Sequence, residues 1–238
     1  MNDAKVTLLR PNGEPCRLAS APTVDLVAGR LRESIIAGWL RRGQVLTLRE
    51  TAEAIGATRN QVRDAFTRLR DEGFLIRTAH GSAVAPLCLE AQQLLNRRLP
   101  LEVRLTRLAT RRLTPFGLRL LHRISQEMAE AQLCYDLPNT QRHNYRFHAM
   151  LYRFADRPDL LAEVQTLWAG FPFDLMTTMP SRLHAVAEEH ETVLTALGAG
   201  DPQCAARAMH YHILHGWQEF QRHYPLQIER QTQLVHRC

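Results

Sequence analysis

The chain has 238 residues, of which 45% are hydrophobic and 23% charged, and its formal net charge is +6. That balance can bury a proper core, which excludes a disordered tail, and no run approaches the roughly 18–20 apolar residues a membrane span needs. Cys16, Cys88, Cys134, Cys204 and Cys238 are odd in number and never in C-x-x-C spacing, and the opening MNDAKVTLLRPNGEPC lacks the charged-then-apolar order of a secretory leader; a reduced, cytoplasmic location is expected, with no membrane association.

Charge and histidine separate along the chain. Residues 1–86 carry 13 Arg and Lys against 9 Asp and Glu, while residues 87–238 carry 17 against 15. Ten of the eleven histidines lie in the second part, and only His80 in the first. One part reads as electrostatic and the other as rich in imidazole.

In chain order, residues 1–21 hold RPNGEP and SAP, turn-forming and poor in apolar residues, and read as a loose arm. From Thr23, Leu26, Val27, Leu31, Ile35 and Ile36 recur at three- and four-residue steps, predicting a helix that stops by Gly38–Gly43. A short helix follows over about 48–55 and ends at Gly56. Thr58 stands as N-cap of the next, whose apolar stripe is Val62, Ala65, Phe66 and Leu69, and Gly73 ends it. FLIRTAHGSAVAP then offers two strand-like runs about His80-Gly81. Helix, helix, turn, helix and hairpin over 22–86 outline a winged helix-turn-helix. Beyond Ala85-Pro86, helical periodicity runs to about 222, broken near Leu113-Thr114-Pro115, Leu137-Pro138, Arg157-Pro158, Phe171-Pro172, Pro180 and Gly198–Pro202. The expected fold is mainly α, with a small β-hairpin wing in the first part. An all-α bundle of about six helices follows over 87–222, and residues 223–238 form a tail.

In ATRNQVRDAF, Arg59 and Arg63 are one turn apart and share a helix face, with Asn60 and Gln61 in the first turn. Such an end suits base edges: Arg pairs with guanine and Asn or Gln with adenine, at about 1–3 kcal/mol of discrimination per good pair. Arg49 opens the preceding helix, where a side chain can meet phosphate, and His80-Gly81 at the wing can reach the neighbouring groove or backbone. Double-stranded DNA is the expected partner.

Residues Val24 to Val84 resemble the DNA-binding domain of the GntR family of bacterial transcription regulators. The resemblance rests on Ile35-Ile36-Ala37-Gly38, Gly43, Leu46, Arg49-Glu50, Ala52, Ile55-Gly56-Ala57-Thr58-Arg59, Val62-Arg63-Asp64-Ala65, Arg68-Leu69, Glu72-Gly73 and His80-Gly81. It implies that Arg49, Arg59, Arg63 and Gly81 contact operator DNA, and that Thr58, Asn60, Gln61 and His80 join them. The chain departs from the family's usual pattern at Gln61, Asp64 and Thr51.

In the second part, HNYRFH places Asn144 and His148 one turn apart on an otherwise ordinary amphipathic helix. His190 shares a stripe with Val186, Val193, Leu194 and Leu197, and His212 one with Ala205, Ala208 and Met209. Three imidazoles on three helices thus face one bundle core, with an amide oxygen a turn before the first. The set suits zinc, nickel or manganese, and equally three hydrogen-bonded core histidines. Residues 90–222 resemble the six-helix effector domain of the FadR-like branch of the family, called FCD. Its Asp-x-x-x-His, His and His pattern maps onto Asn144/His148, His190 and His212, and its Arg-x-x-x-Glu pair onto Arg98 and Glu102. The resemblance implies that Arg98 meets a ligand carboxylate. Asn144 in place of aspartate removes one negative charge, so weaker metal retention and a stronger call for a small organic-acid ligand are expected.

The reading is a homodimeric regulator binding an imperfect palindrome, its operator affinity set by that ligand. Two alternatives stand beside it. One is a metal-dependent hydrolase on the three histidines, for which His190-Glu191 begins like H-E-x-x-H but Leu194 replaces the second histidine. The other is a DNA-binding protein whose helical part only dimerises.

Overall fold

A computed structural model of the chain describes residues 22–79, 81–87, 90–176 and 179–224. The arm 1–21, His80 and the tail from 225 onward lie outside the described residues. The chain divides into two compact units, Met1–Leu87 and Cys88–Cys238.

In the first unit, α1 (Val24–Ile36), α2 (Leu48–Ile55) and α3 (Arg59–Asp71) are each opened by a threonine. Thr23, Thr47 and Thr58 accept the backbone N–H of Leu26, Glu50 and Gln61, satisfying donors that a first turn leaves unpaired. Gly56 closes α2 at φ 75°, a left-handed position glycine reaches without strain. α3 packs on α1, and Val62, Ala65, Phe66 and Leu69 of the one and Val27, Ala28, Leu31 and Ile35 of the other are buried, each larger side chain contributing about 1.5–3 kcal/mol by leaving water.

The wing has one strand more than the sequence pattern predicts. β1 (Val45–Leu46), β2 (Leu75–Thr78) and β3 (Gly81–Val84) form an antiparallel sheet in the order β1-β3-β2, with Leu46 opposite Ser82 and Thr78 opposite Gly81. Two residues are too few to show alternation, which is why β1 escapes a periodicity search. Gly81 sits at φ 135°, and a Cβ there would stand 3.2 Å from the Leu46 carbonyl oxygen. The wing therefore requires glycine at this point for its own packing.

One buried ion pair joins the two ends of this unit's core. The guanidinium of Arg32 donates from Nε and Nη2 to both carboxylate oxygens of Glu72, at 2.7–2.9 Å, and lies 5.7 Å over the Phe74 ring. Their side chains are 7% and 14% exposed, so removing one partner strands a charge away from water.

In the second unit, α4 (Ala91–Thr110), α5 (Pro115–Leu133), α6 (Leu137–Arg153), α7 (Pro158–Gly170), α9 (Pro180–Gly198) and α10 (Pro202–His223) are the long helices, with a single turn, α8 (Phe173–Met176), between α7 and α9. Five of the long ones begin with proline in the first turn, where the missing N–H costs nothing. α4 runs through Pro100 without a break. The mainly helical class, the winged first part and the bundle match the expectation; β1 and the turn α8 are additions to it.

Glu72→Ala is expected to lower stability by about 3–5 kcal/mol, because Arg32 then stays buried without its carboxylate. Urea unfolding followed by circular dichroism, compared with the native chain, measures it.

Candidate functional sites: an arginine-rich helix end and a buried histidine cluster

The first turn of α3 presents its polar side chains to solvent: Thr58, Arg59, Asn60 and Arg63 are exposed, while the stripe behind them is buried. Arg63 Nη1 donates to Asn60 Oδ1 at 2.8 Å, which holds the two as one donor-rich unit. Arg49 is exposed on the first turn of α2, 4.0 Å from Glu53. Gly81 lies at the start of β3, and His80 falls outside the described residues.

Gln61 also closes the start of the helix. Its Oε1 accepts from the backbone N–H of Thr58 at 2.8 Å and from the Thr58 hydroxyl at 2.9 Å, and its Nε2 donates to the Pro22 carbonyl. Thr58 accepts the Gln61 backbone N–H in return, completing a capping box. Both polar ends of the amide are engaged inside the protein, so Gln61 and Thr58 place the helix end and Arg59, Asn60 and Arg63 are left facing outward.

In the second unit the three inward histidines converge. One ring nitrogen from each of His148 (α6), His190 (α9) and His212 (α10) lies within 4.8 Å of the others, and the three residues are 0–4% exposed. The Phe147 ring stacks on His190 at 4.3 Å, which is why an aromatic residue adjoins the polar pair in HNYRFH. Asn144 sits one turn before His148, its Oδ1 buried and meeting no hydrogen-bond donor among the described residues.

Hydrogen bonds behind the rings assign their tautomers. Tyr152 donates its hydroxyl proton to Glu102 Oε2 at 2.7 Å, so at 3.0 Å from that hydroxyl His148 Nδ1 must be the donor. Burial, and then the Glu102 carboxylate, push the Tyr152 phenol well above its ordinary pKa, which keeps this proton in place. On the other side Glu189 accepts from His212 Nδ1 at 2.7 Å and from His215 Nδ1 at 2.5 Å. With protons on both Nδ1 atoms, the Nε2 lone pairs of His148 and His212 face each other at 3.0 Å. Such a pair repels until a cation or a shared proton comes between them. At metal–nitrogen bonds of about 2.0–2.1 Å, both nitrogens reach one ion, and a carboxylate or hydroxyl behind each imidazole is the usual support of a metal-binding histidine. The donor set therefore fits a divalent ion, with the Asn144 oxygen as the neutral fourth group.

Arg98 stands one step from this cluster. Its Nε donates to Glu102 Oε1 at 2.5 Å, and its guanidinium carbon lies 4.3 Å from the Phe171 ring centre and 4.9 Å from that of Phe173. Trp168 Nε1 donates to the same Glu102 oxygen at 3.0 Å. Arg98, Glu102, Tyr152 and His148 are thus one continuous hydrogen-bonded line, and Glu102, fully buried, is its centre.

Sequence reasoning missed Tyr152 and Glu189. Tyr152 continues the four-residue step Asn144–His148–Tyr152 and was legible there. Glu189 shares a stripe with Val186 and Val193, so it faces inward beside His190 and supports a histidine on the next helix. Glu191, which a hydrolase of the H-E-x-x-H kind would use, is exposed, and both oxygens of Glu189 are occupied by histidine N–H groups.

Comparison with known proteins agrees with both halves. Residues 23–84 match the bacterial regulatory proteins of the gntR family, and residues 93–215 match the FCD domain. The HTH-type transcriptional regulator McbR of Escherichia coli (strain K12) is 26% identical over 206 residues, 82% of this chain and 93% of that protein. The solved structure of E. coli McbR/YncC has a TM-score of 0.67 at 25% identity, covering 84% of this chain and 100% of that one. A putative transcriptional regulator GntR from Rhodococcus sp. RHA1 has a TM-score of 0.61 at 20% identity over 83% and 97%, a likeness of fold. These matches set aside the hydrolase alternative. The chain belongs to the GntR family of bacterial regulatory proteins, in the branch with a C-terminal FCD domain, and is a DNA-binding transcription regulator and not an enzyme.

Proposed function

We propose that the helical unit senses a small carboxylate-bearing metabolite, and that the metabolite's binding changes the affinity of a homodimer for an imperfectly palindromic operator. The observation that supports this most directly is the buried convergence of His148, His190 and His212, with two Nε2 atoms 3.0 Å apart. Replacing such a group by well-packed apolar residues is often neutral or stabilising, so its presence calls for a purpose other than stability.

His148, His190 and His212 would hold a zinc, nickel or manganese ion, with Asn144 giving an oxygen. When bound, the ion supplies positive charge that a carboxylate can approach, undiminished by Asn144. Arg98 gives the ligand a second cationic contact, in competition with its present bond to Glu102. Glu189 and Tyr152 hold two imidazoles in the tautomer that presents Nε2. For the operator to respond, the ligand must bind one state of the dimer more tightly than the other. On the DNA side, Arg59, Asn60 and Arg63 read bases and Arg49 meets phosphate, while Thr58 and Gln61 position the helix that carries them.

Chelator-treated protein is expected to melt about 5–10 °C higher with a saturating metal ion, since a ligand at one hundred times its Kd adds about 2.7 kcal/mol. A small carboxylate or sugar acid is expected to add a further shift. Thermal melts of His190→Ala and His212→Ala should lose both shifts, and those of Arg98→Ala only the second. Absence of any shift across metals and acids would favour a helical unit that only dimerises.

Glu189→Gln is expected to weaken metal binding about 10–100-fold while all three ligand histidines remain, read by calorimetric titration. A variant with native affinity would detach Glu189 from the site.

Arg59→Ala is expected to lose about 1–3 kcal/mol of discrimination between a selected duplex and a scrambled one. Gln61→Ala should instead cost about 0.5–2 kcal/mol of stability and leave the discrimination ratio in place. Anisotropy titrations and melts of the two variants separate these roles.

A further inference from the structure

Between α3 and the wing lies a groove of about 500 Å³ lined by Arg63, Arg70 and Arg77, with Thr47, Thr78 and Ser82 supplying hydroxyls. No acidic residue lines it. Four arginines elsewhere in this unit are paired with carboxylates: Arg30 with Glu33, Arg32 with Glu72, Arg49 with Glu53, and Arg68 with Asp25 and Glu72. Among the described residues, Arg63, Arg70 and Arg77 have no carboxylate within ion-pair distance.

Arg70 is also held in place. Its Nη1 donates to Ser82 Oγ at 3.0 Å and its Nη2 to Thr67 Oγ1 at 2.8 Å, so a half-buried guanidinium is fixed between α3 and β3 by neutral partners. Fixing a long side chain costs about 1.5–2 kcal/mol of rotamer entropy, which a merely solvated arginine retains. Hydroxyl partners orient the group and leave its charge intact. The groove thus gathers like charges that repel one another, and an anion seated among them relieves that repulsion. Arg63 belongs both to this groove and to the exposed face of Arg59 and Asn60, so the two surfaces are continuous.

We propose that this groove seats a backbone phosphate of bound DNA, and that Arg70 and Arg77 extend the interface beyond the helix end and wing tip. A phosphate contact fixes register and adds affinity without reading sequence. The seat rests on DNA binding and is independent of the sensing reading of the helical unit.

The test uses the full chain and a fluorescently labelled duplex of arbitrary sequence, titrated by anisotropy over a range of salt concentrations. The magnitude of the slope of log K against log salt is expected to fall by about 0.9 per protomer in R77A and again in R70A. Binding should weaken by the same factor on a selected duplex and on an arbitrary one, and R77K should retain the native slope. R70A alters a residue that ties α3 to β3, so if it fails to fold, the exposed Arg77 decides. A native slope in R77A would overturn the proposal, as would a loss confined to the selected duplex. Stabilisation by inorganic phosphate at matched ionic strength that R77A abolishes, with no change in the DNA slope, would also overturn it and make the groove a small-anion pocket.

Discussion

The facing Nε2 atoms of His148 and His212 are the constraint around which the helical unit is arranged. Each imidazole comes from a different helix, and each is turned by a group behind it, Tyr152 for one and Glu189 for the other. With both rings neutral, the groups behind them keep the protons on Nδ1, so the two Nε2 atoms are bridged only by a further proton or a cation. The polar centre is buried, and the Phe147 ring stacks on His190 within it.

The DNA-binding unit divides its polar residues between two kinds of work. Thr58 and Gln61 bond to each other and to nearby backbone groups and fix where α3 begins. Arg59, Asn60 and Arg63 follow immediately and face out. Fixing the start of the helix determines which side chains lie on its outward face, since each residue turns the direction by about 100°. Arg32 and Glu72 hold α1 to the end of the same helix. Both ends of α3 are thus secured by polar groups that bond within the protein.

Much of this was readable from the sequence, and the limits are physical. Proline and glycine breaks separated the helices because those residues act on the backbone locally. His148, His190 and His212 were found by their place in apolar stripes, since burial and periodicity are coupled on a packed helix. What a polar side chain bonds to is tertiary information. Gln61 is of a type that can read a base, and Thr58-x-x-Gln61 is also the pattern of a capping box, which only the fold shows to be formed. The angle between Glu189 and its neighbour His190 says nothing of its partners, His212 and His215 on the following helix. β1 is fixed by its pairing with β3 and carries almost no local signal of its own.

The line from Arg98 through Glu102 and Tyr152 to His148 gives the proposed ligand site its logic. Glu102 is a fully buried carboxylate, and Arg98 is the cation that makes its burial tolerable. A ligand carboxylate that recruits Arg98 draws on the same guanidinium. Glu102 then depends more heavily on the donors that remain, Tyr152 and Trp168, and Tyr152 is the group that orients His148. Substituting asparagine for aspartate beside the histidines sharpens the effect. With no carboxylate at position 144, the nearest negative charges are Glu189 and Glu102 behind the imidazoles, and on the proposed reading a ligand carboxylate supplies the charge missing from the ion's own shell. An organic acid is the proposed ligand because it could engage both the ion and Arg98.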